Sequence, residues 1–447
     1  MKILFSGIGG SGVSAIAGFM ADRGHTVFGS DRLFDRDPGH PIRASLTAQG
    51  ITLIQQDGKA IDRSFDLAVF STAVEHDNPE YVKAMELGIP LKTRPEYLAE
   101  IVAGFETIAV AGTSGKSTTA GMLAWIMRQL GMEPNFLGGG RVKQFRSAAN
   151  AGNYIAGKSG MLVVEACESD GTIVNYRPAE SLILNLDLDH HSIAETGALF
   201  AELSRNTSGV VISGGDDRNL AACDLGDVRK FSIDSDSGCR AVDVEYSAFE
   251  TRFRVQETQY RLALPGKHNL YNALACIAVL SELGVRGADI SGVLPQFSGI
   301  ERRFDIHLND GRHLVIDDYA HNPHKIAGLM QTMARISGRI CYVFQPHGFG
   351  PTRLMREGYI RTFAEHLRPD DQLFLLPIYY AGGTAAKDIS SEDIAAGVRA
   401  SGGRARVVSR EELSVTPPGR DVYVVFGARD DTLSGLAETI ASRLLLR

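Results

Sequence analysis

Thr107-Ile108-Ala109-Val110-Ala111-Gly112-Thr113-Ser114-Gly115-Lys116-Ser117-Thr118 is the stretch that decides how the middle of this chain folds. It opens as a short apolar run and passes through a glycine-rich turn. The residues beyond it, Met122, Leu123, Ile126, Met127 and Leu130, repeat at helical spacing and stop at Gly131. A strand, a glycine turn and a helix in that order make a phosphate-binding loop. Its backbone amides can surround phosphate oxygens, Lys116 can neutralise the β and γ groups, and the Ser117 hydroxyl can ligate magnesium. The pattern departs from GxxxxGK[ST] by carrying Val110 where the first glycine would stand, yet keeps the residues that do the chemistry. Gly112, Thr113, Ser114, Gly115, Lys116, Ser117 and Thr118 are therefore the expected cofactor positions, with ATP and Mg2+ as the cofactors.

Upstream lies a second glycine turn, Gly7-Ile8-Gly9-Gly10-Ser11-Gly12, directly after the apolar run that ends at Phe5, with Asp31 nineteen residues beyond Gly12. Glycines there allow a tight turn and let backbone amides approach a pyrophosphate at a helix N-terminus. Alone, this is a dinucleotide fingerprint for which NAD is the default ligand. The physics names only a pyrophosphate, however, and a UDP-sugar supplies one too. The two turns together change the balance: a dehydrogenase has no use for a lysine-bearing phosphoryl-transfer loop, whereas an ATP-driven ligase acting on a nucleotide-linked substrate needs both.

Around these turns, apolar runs alternate with helical periodicity. Residues 2–5, 26–28 and 66–70 read as strands of one parallel sheet, and 161–165 and 182–185 continue the unit that opens at Thr107. Between about 242 and 264 the pattern becomes a period of two, as in Thr251-Arg252-Phe253-Arg254-Val255, which implies antiparallel strands. Strand–helix alternation resumes beyond Gly299, with strands at 314–319, 340–345, 373–377, 406–408 and 422–427. The expected fold is α/β with three domains. Residues 1–104 form a Rossmann-like domain, 105–298 a central P-loop ATPase-type α/β domain with an antiparallel element, and 299–447 a second Rossmann-like α/β domain.

The chain has 447 residues, 44% of them hydrophobic and 22% charged, ample for several cores. A formal net charge of −7 disfavours a protein that coats nucleic acid or an anionic membrane, so anionic ligands must be held by local features. The N-terminal apolar run is too short for a signal peptide, and no stretch reaches the roughly 18 apolar residues of a membrane span. Five scattered cysteines without CxxC spacing suggest neither disulfides nor zinc. A cytoplasmic monomer or homodimer without nucleic-acid partners is expected.

Taken in order, several further strings carry a resemblance: Gly29-Ser30-Asp31, STAVEHDNPE from Ser71, Arg94-Pro95-Glu96, EACESD from Glu165, NLDLDH from Asn185, GKHNLYNA from Gly266, Glu301-Arg302-Arg303-Phe304-Asp305, DDYAHNP from Asp317 and Phe344-Gln345-Pro346-His347. With the two glycine turns they make the chain resemble the Mur ligases, and within them the alanine-adding branch, over nearly its whole length. The resemblance implies an ATP-dependent ligase of peptidoglycan precursor synthesis that joins UDP-N-acetylmuramate to an amino acid or short peptide. It further implies that Glu165 and His190 join Ser117 as metal ligands, a set of donors that suits magnesium. It places Asn269 and Asn272 at adenine, three residues apart and so on one face of a helix. It sets Arg302, Arg303 and Asp318 around the nucleotide, and His321 near its γ-phosphate, just before the cap Asn322-Pro323. Lys116, Glu165, His190 and His321 are the expected catalytic group. Gly7, Gly9, Gly10, Gly12, Asp31, Ser71, Tyr319, His347 and Arg353 are the expected substrate-binding group.

Some positions depart from the family pattern. Cys167 stands in EACESD where the family usually has aspartate, and Ser114 stands where histidine or asparagine is usual. No lysine occurs between Lys158 and Lys230, so the carbamylated lysine that some members use is lacking in this region. The arginines that typically follow Phe344-Gln345-Pro346-His347 and hold the amino acid's carboxylate are replaced by Gly348 and Pro351, and the next cation is Arg353. A charge-assisted hydrogen bond contributes about 1.5–3 kcal/mol, so Arg353, Arg356 or His347 must compensate if the amine is L-alanine. A recycling ligase that attaches a preformed peptide is the nearer alternative. A non-catalytic nucleotide-binding subunit is the more distant one, and the joint presence of Lys116, Ser117, Glu165, His190 and Asp318 speaks against it.

Overall fold

The computed structural model describes every residue except 38, 170, 189–190, 337, 381–385, 416–420 and 447. Among the described residues the contacts divide into two compact units, one made of 1–246 and 250–300, the other of 247–249 and 301–447.

The first unit holds two sheets. The smaller is five-stranded and wholly parallel, in the order Thr52–Leu53, Thr26–Ser30, Lys2–Ser6, Leu67–Phe70, Leu91–Thr93. Its first strand is buried on both faces, which is why Ile3-Leu4-Phe5 reads as a continuous apolar run and not an alternating one. The chain leaves that strand into the glycine turn and the helix Ser11–Asp22, at the point where strand order reverses and ligands of open α/β sheets bind. Gly18 lies in that helix, where a Cβ would come within 2.5 Å of the Tyr154 ring. The glycine costs helix stability but lets the helix pack against the second sheet. Arg23 Nη2 donates to Asn135 Oδ1 at 2.9 Å, and Asn153 Nδ2 donates to the Ser11 carbonyl at 2.9 Å, so polar contacts also join the two sheets.

The second sheet has ten strands. At its centre Glu106–Ala111 lies between Met161–Glu165 and Glu180–Ile183, parallel to both, with Val110 opposite Glu165 and Ala111 opposite Ile183. That register delivers the ends of three strands to one edge, and with them Gly112–Lys116, Glu165–Glu168 and Leu184–Asn185. Further out, Cys239–Tyr246, Thr251–Val255 and Thr258–Leu262 pair antiparallel. Phe253 and Tyr260 point inward from this ribbon and stack at 5.3 Å. The alternation of 251–255 arises because one face of the ribbon covers a core and the other meets water.

The second unit is a six-stranded sheet in the order Asp305–Asn309, Leu314–Asp318, Val422–Gly427, Ile340–Gln345, Gln372–Leu375, Ala405–Val407, with the first pair antiparallel and the rest parallel. Ile316, Tyr342, Phe344, Val424 and Phe426 enter one core, beneath the helix Pro323–Met333 and residues of Phe349–His366. Val315, Cys341, Val343, Tyr423 and Val425 enter another, beneath Leu433–Leu445. No helix among the described residues is long and apolar enough to cross a membrane.

Candidate active site

The phosphate loop is held open by two glycines and an asparagine. Gly115 has φ +87, and a Cβ there would lie 2.4 Å from Asn272 Oδ1; Gly112 has φ +134 and abuts Leu184. Asn185 Oδ1 accepts from Thr113 Oγ1 at 2.9 Å and from the Ser114 amide at 2.8 Å, while its Nδ2 donates to the Ser114 carbonyl at 2.9 Å. Because Asn185 engages only the backbone of Ser114, this departure from the family pattern leaves the loop's geometry intact.

Lys116 opens the helix Lys116–Gln129, and its Nζ donates to the Gly112 carbonyl at 2.6 Å and to both Glu168 oxygens, at 2.8 and 3.0 Å. Burial is the largest single influence and would depress the pKa of this ammonium, but the acidic groups around it, the Glu168 carboxylate foremost, together outweigh burial and raise the pKa, so the group is charged. Ser117 Oγ donates to Glu165 Oε1 at 2.8 Å, and the Gly139 amide donates to Glu165 Oε2 at 2.7 Å. A hydroxyl and a carboxylate oxygen thus lie side by side at a helix N-terminus, a donor pair that fits magnesium, which takes few protein oxygens and keeps its waters. His190, the third expected ligand, lies outside the described residues. Asn269 and Asn272 are buried within the helix Lys267–Glu282, whose cap is Gly266. Asn269 Nδ2 donates to the Pro265 carbonyl at 2.8 Å, and Asn272 Oδ1 accepts from Thr119 Oγ1 at 3.2 Å, so Asn272 faces the loop and Asn269 fixes the entry to its helix.

In the five-stranded sheet the amides of Gly7 and Ile8 both donate to the Ser30 carbonyl, at 2.8 and 3.0 Å. Asp31 accepts from the Gly9 amide at 2.8 Å and from the Leu33 amide at 2.9 Å, so it ties the turn to a second helix start. Gly10 caps the helix Ser11–Asp22, and Ser71 lies against Gly7, where a Cβ would come within 2.7 Å of its own Cβ. Arg94 reaches across Gly12, with its Cδ 3.4 Å from where a Cβ would be. It brings to the turn a cation that the sequence marks only as part of the string Arg94-Pro95-Glu96, with no role attached. Beneath the turn Glu80 is fully buried, its Oε2 accepting from Ser6 Oγ at 2.6 Å and Ser30 Oγ at 2.5 Å. Burial drives this carboxyl upward against the opposing effect of the two hydroxyls.

In the C-terminal unit Asp318 accepts from the amides of Phe304 and Ala320, at 2.7 and 2.8 Å, and so fixes the turn in which Arg302 and Phe304 take φ of +59 and +52. Arg302 is buried; it pairs with Asp317 at 3.3 Å and donates to the carbonyls of Gly427 and Asp430 at 2.7 and 3.0 Å. Those donors serve the unit's own interior. Arg303 lies over the Tyr319 ring, 4.8 Å from its centroid. His321 Nδ1 donates to the Tyr319 carbonyl at 2.9 Å, which leaves Nε2 as the acceptor, and its ring meets His347 edge-on at 5.5 Å. Burial, then Lys325, lowers the His321 pKa to about 3, so this imidazole is neutral at physiological pH. Arg353, in the helix Phe349–His366, is half exposed and paired with Asp388, and it also donates to the Ala386 carbonyl at 3.1 Å.

The chain matches three family models, described as the Mur ligase family catalytic domain over residues 2–106, the Mur ligase middle domain over 110–280, and the Mur ligase glutamate ligase domain over 302–429. The chain belongs to the Mur ligase family. As a Mur ligase it is similar to the UDP-N-acetylmuramate–L-alanine ligase of Persephonella marina, at 34% identity over 93% of this chain and 89% of that one. The enzyme of the same name from Sulfurihydrogenibium is 31% identical over 99% and 98%. Among solved structures, the UDP-N-acetylmuramate–alanine ligase of Thermotoga maritima matches with a TM-score of 0.83 and 28% identity, covering 100% of this chain and 99% of that one. A murein peptide ligase from Psychrobacter arcticus shares the fold, with a TM-score of 0.70 at 23% identity over 100% and 98%.

Proposed function

We propose that this Mur ligase is an ATP-dependent enzyme that forms an amide bond between the lactyl carboxylate of UDP-N-acetylmuramate and L-alanine. The observation that carries the reading is the phosphate loop with its charged Lys116 and the adjoining Ser117–Glu165 oxygen pair. It sits in a chain similar to alanine ligases along nearly its full length. We assign residues 1–104 to the UDP-sugar, 105–298 to ATP, and 299–447 to the amino acid and to closing over ATP, and we place the enzyme in the cytoplasm.

The chemistry runs in two steps. A lactyl carboxylate oxygen attacks the γ-phosphorus, the bond to the β-phosphate oxygen breaks, and ADP leaves an acyl phosphate behind. The amine then attacks the acyl carbon, the bridging oxygen departs with inorganic phosphate, and the amine gives up a proton. Lys116 neutralises charge on the transferring group from a buried position where electrostatic stabilisation is strong. Ser117, Glu165 and, by family resemblance, His190 would hold Mg2+, which supplies charge neutralisation when bound. The glycine turn and Arg94 hold the pyrophosphate of the sugar nucleotide. His321, neutral and with Nε2 unprotonated, is suited to accept a hydrogen bond from the incoming amine.

A second reading keeps a specific observation in its favour: Gly348 and Pro351 replace the usual arginines, and Arg353 is already paired with Asp388. An amine with a different or more distant carboxylate, such as a preformed peptide, would not need a cation there. Phosphate release with L-alanine and with a tripeptide, each in the presence of UDP-N-acetylmuramate and ATP, separates the two. Release with L-alanine supports the first reading, and release with the tripeptide alone supports the second.

A further inference from the structure

Lys116 and Glu168 form the most deeply enclosed ion pair around the phosphate loop, with side chains 11% and 2% exposed. The ammonium has three protons and, among the described residues, three protein oxygens within hydrogen-bonding distance: the Gly112 carbonyl and the two carboxylate oxygens of Glu168. Glu168 lies beyond the strand Met161–Glu165, in a turn closed by the Gly171 amide donating to the Glu168 carbonyl at 2.9 Å, with Gly171 at φ +70. The strand register and this turn together bring it under the loop.

A carboxylate buried to this degree cannot be left alone, because removing one partner of a buried pair leaves an uncompensated charge. When a triphosphate enters, the ammonium therefore cannot abandon Glu168 and swing wholly onto phosphate. The contact it can give up without stranding a charge is the Gly112 carbonyl, a neutral group. We propose that Glu168 is a positioning residue for phosphoryl transfer that acts through Lys116: it anchors the ammonium beneath the loop and keeps it anchored when nucleotide is bound. The anchor has two effects of opposite sign. It cancels part of the positive charge that would otherwise attract nucleotide, and so weakens ground-state binding. It also fixes the ammonium where charge develops on the transferring group, and so accelerates the reaction. This role rests on the reading of Lys116 as the phosphate-loop lysine of an ATP-driven ligase.

The two effects separate experimentally. Glu168→Gln keeps the shape and one acceptor but removes the charge. Titration of the full-length protein with a fluorescent ATP analogue, with EDTA and again with Mg2+, should show binding about tenfold tighter, the scale of one charge interaction in a partly screened site. The same variant should lose turnover by about 10- to 100-fold, as expected when a reacting group is displaced by the order of 1 Å. Glu168→Asp, which restores the charge on a shorter stem, should return affinity close to wild type while leaving kcat depressed. A purely structural role would weaken binding and turnover together.

Tighter binding with slower turnover in Glu168→Gln supports the inference; unchanged or weaker binding, or unchanged kcat, overturns it. If Glu168→Gln does not fold, Glu168→Asp decides alone, and an Asp variant with wild-type kcat rejects the anchor. Failure of the wild-type protein itself to bind the analogue would instead refute the ATP-dependent reading, and this inference with it.

Discussion

Replacing Gly115 with alanine tests the phosphate loop at its tightest point. The residue has φ +87, and the added Cβ would lie 2.4 Å from Asn272 Oδ1, well inside contact distance. Holding an L-residue in that left-handed conformation costs about 1–2 kcal/mol. Asn272 cannot yield freely, since it is buried and its Oδ1 accepts from Thr119 Oγ1 at 3.2 Å. Moving it leaves a buried acceptor unsatisfied, at a further cost of about 1–3 kcal/mol. The sum is roughly 2–5 kcal/mol, and at about 2–4 °C per kcal/mol for a large domain the melting temperature should fall by on the order of 10 °C. ATP affinity should fall with it, because the loop and Asn272 would move apart. The assay is thermal unfolding of the variant with and without ATP, followed by the double variant Gly115→Ala/Asn272→Ala. Truncating Asn272 removes the clashing oxygen, so the double variant should recover part of the loss and the two changes should be non-additive. An unchanged melting temperature in Gly115→Ala, or strictly additive losses, would refute this geometry.

Three further outcomes are expected. If L-alanine is the amine and Arg353 holds its carboxylate, Arg353→Ala should raise KM for the amino acid and leave KM for ATP near its starting value, while Asp388→Asn should lower KM for the amino acid by freeing the guanidinium; no change in either steady-state constant would shift weight to the peptide reading. His321 has its pKa lowered to about 3 in the fold against 6.5 unfolded, so its contribution to stability is fully present above pH 6.5 and is lost as pH falls toward 3, at about 1.4 kcal/mol per pH unit. His321→Asn should flatten the acid limb of a denaturation-versus-pH series between pH 6 and 4. Calorimetric titration should give binding of UDP-N-acetylmuramate and none of NADH; the reverse result would return the first glycine turn to the dinucleotide reading.

Much of this fold was legible because long buried strands leave a continuous apolar signature. Met161–Glu165, Ile340–Gln345 and Val422–Gly427 fall where the apolar runs placed them. The strand expected at 182–185 runs instead from Glu180 to Ile183, because Leu184 and Asn185 leave the sheet to support the phosphate loop. Asn135–Leu137 escaped notice because it has three residues and opens with a polar one, buried only by virtue of its bonds to Arg23 and to the carbonyls of Ser159 and Met161. Val228–Ser232 carries exposed Arg229 and Lys230, which hide it from any hydrophobic pattern. In the site, the glycine turns were readable from local spacing alone. The pairings that set charge were not: Glu168 meets Lys116 across 52 positions and Asp388 meets Arg353 across 35, and nothing in either neighbourhood encodes the other. Arg302 could be read from sequence as a ligand-facing cation, but only the strand register puts it under Gly427 and Asp430.

Oxygen transfer from the sugar substrate offers the most direct measurement. UDP-N-acetylmuramate labelled with 18O in both lactyl carboxylate oxygens, incubated with the enzyme, ATP and L-alanine, should yield inorganic phosphate carrying one labelled oxygen per molecule and an alanyl product that keeps the other in its amide. Unlabelled phosphate, or labelled substrate recovered intact while ADP accumulates, would mean that no acyl phosphate forms and that the chain is not the ligase proposed.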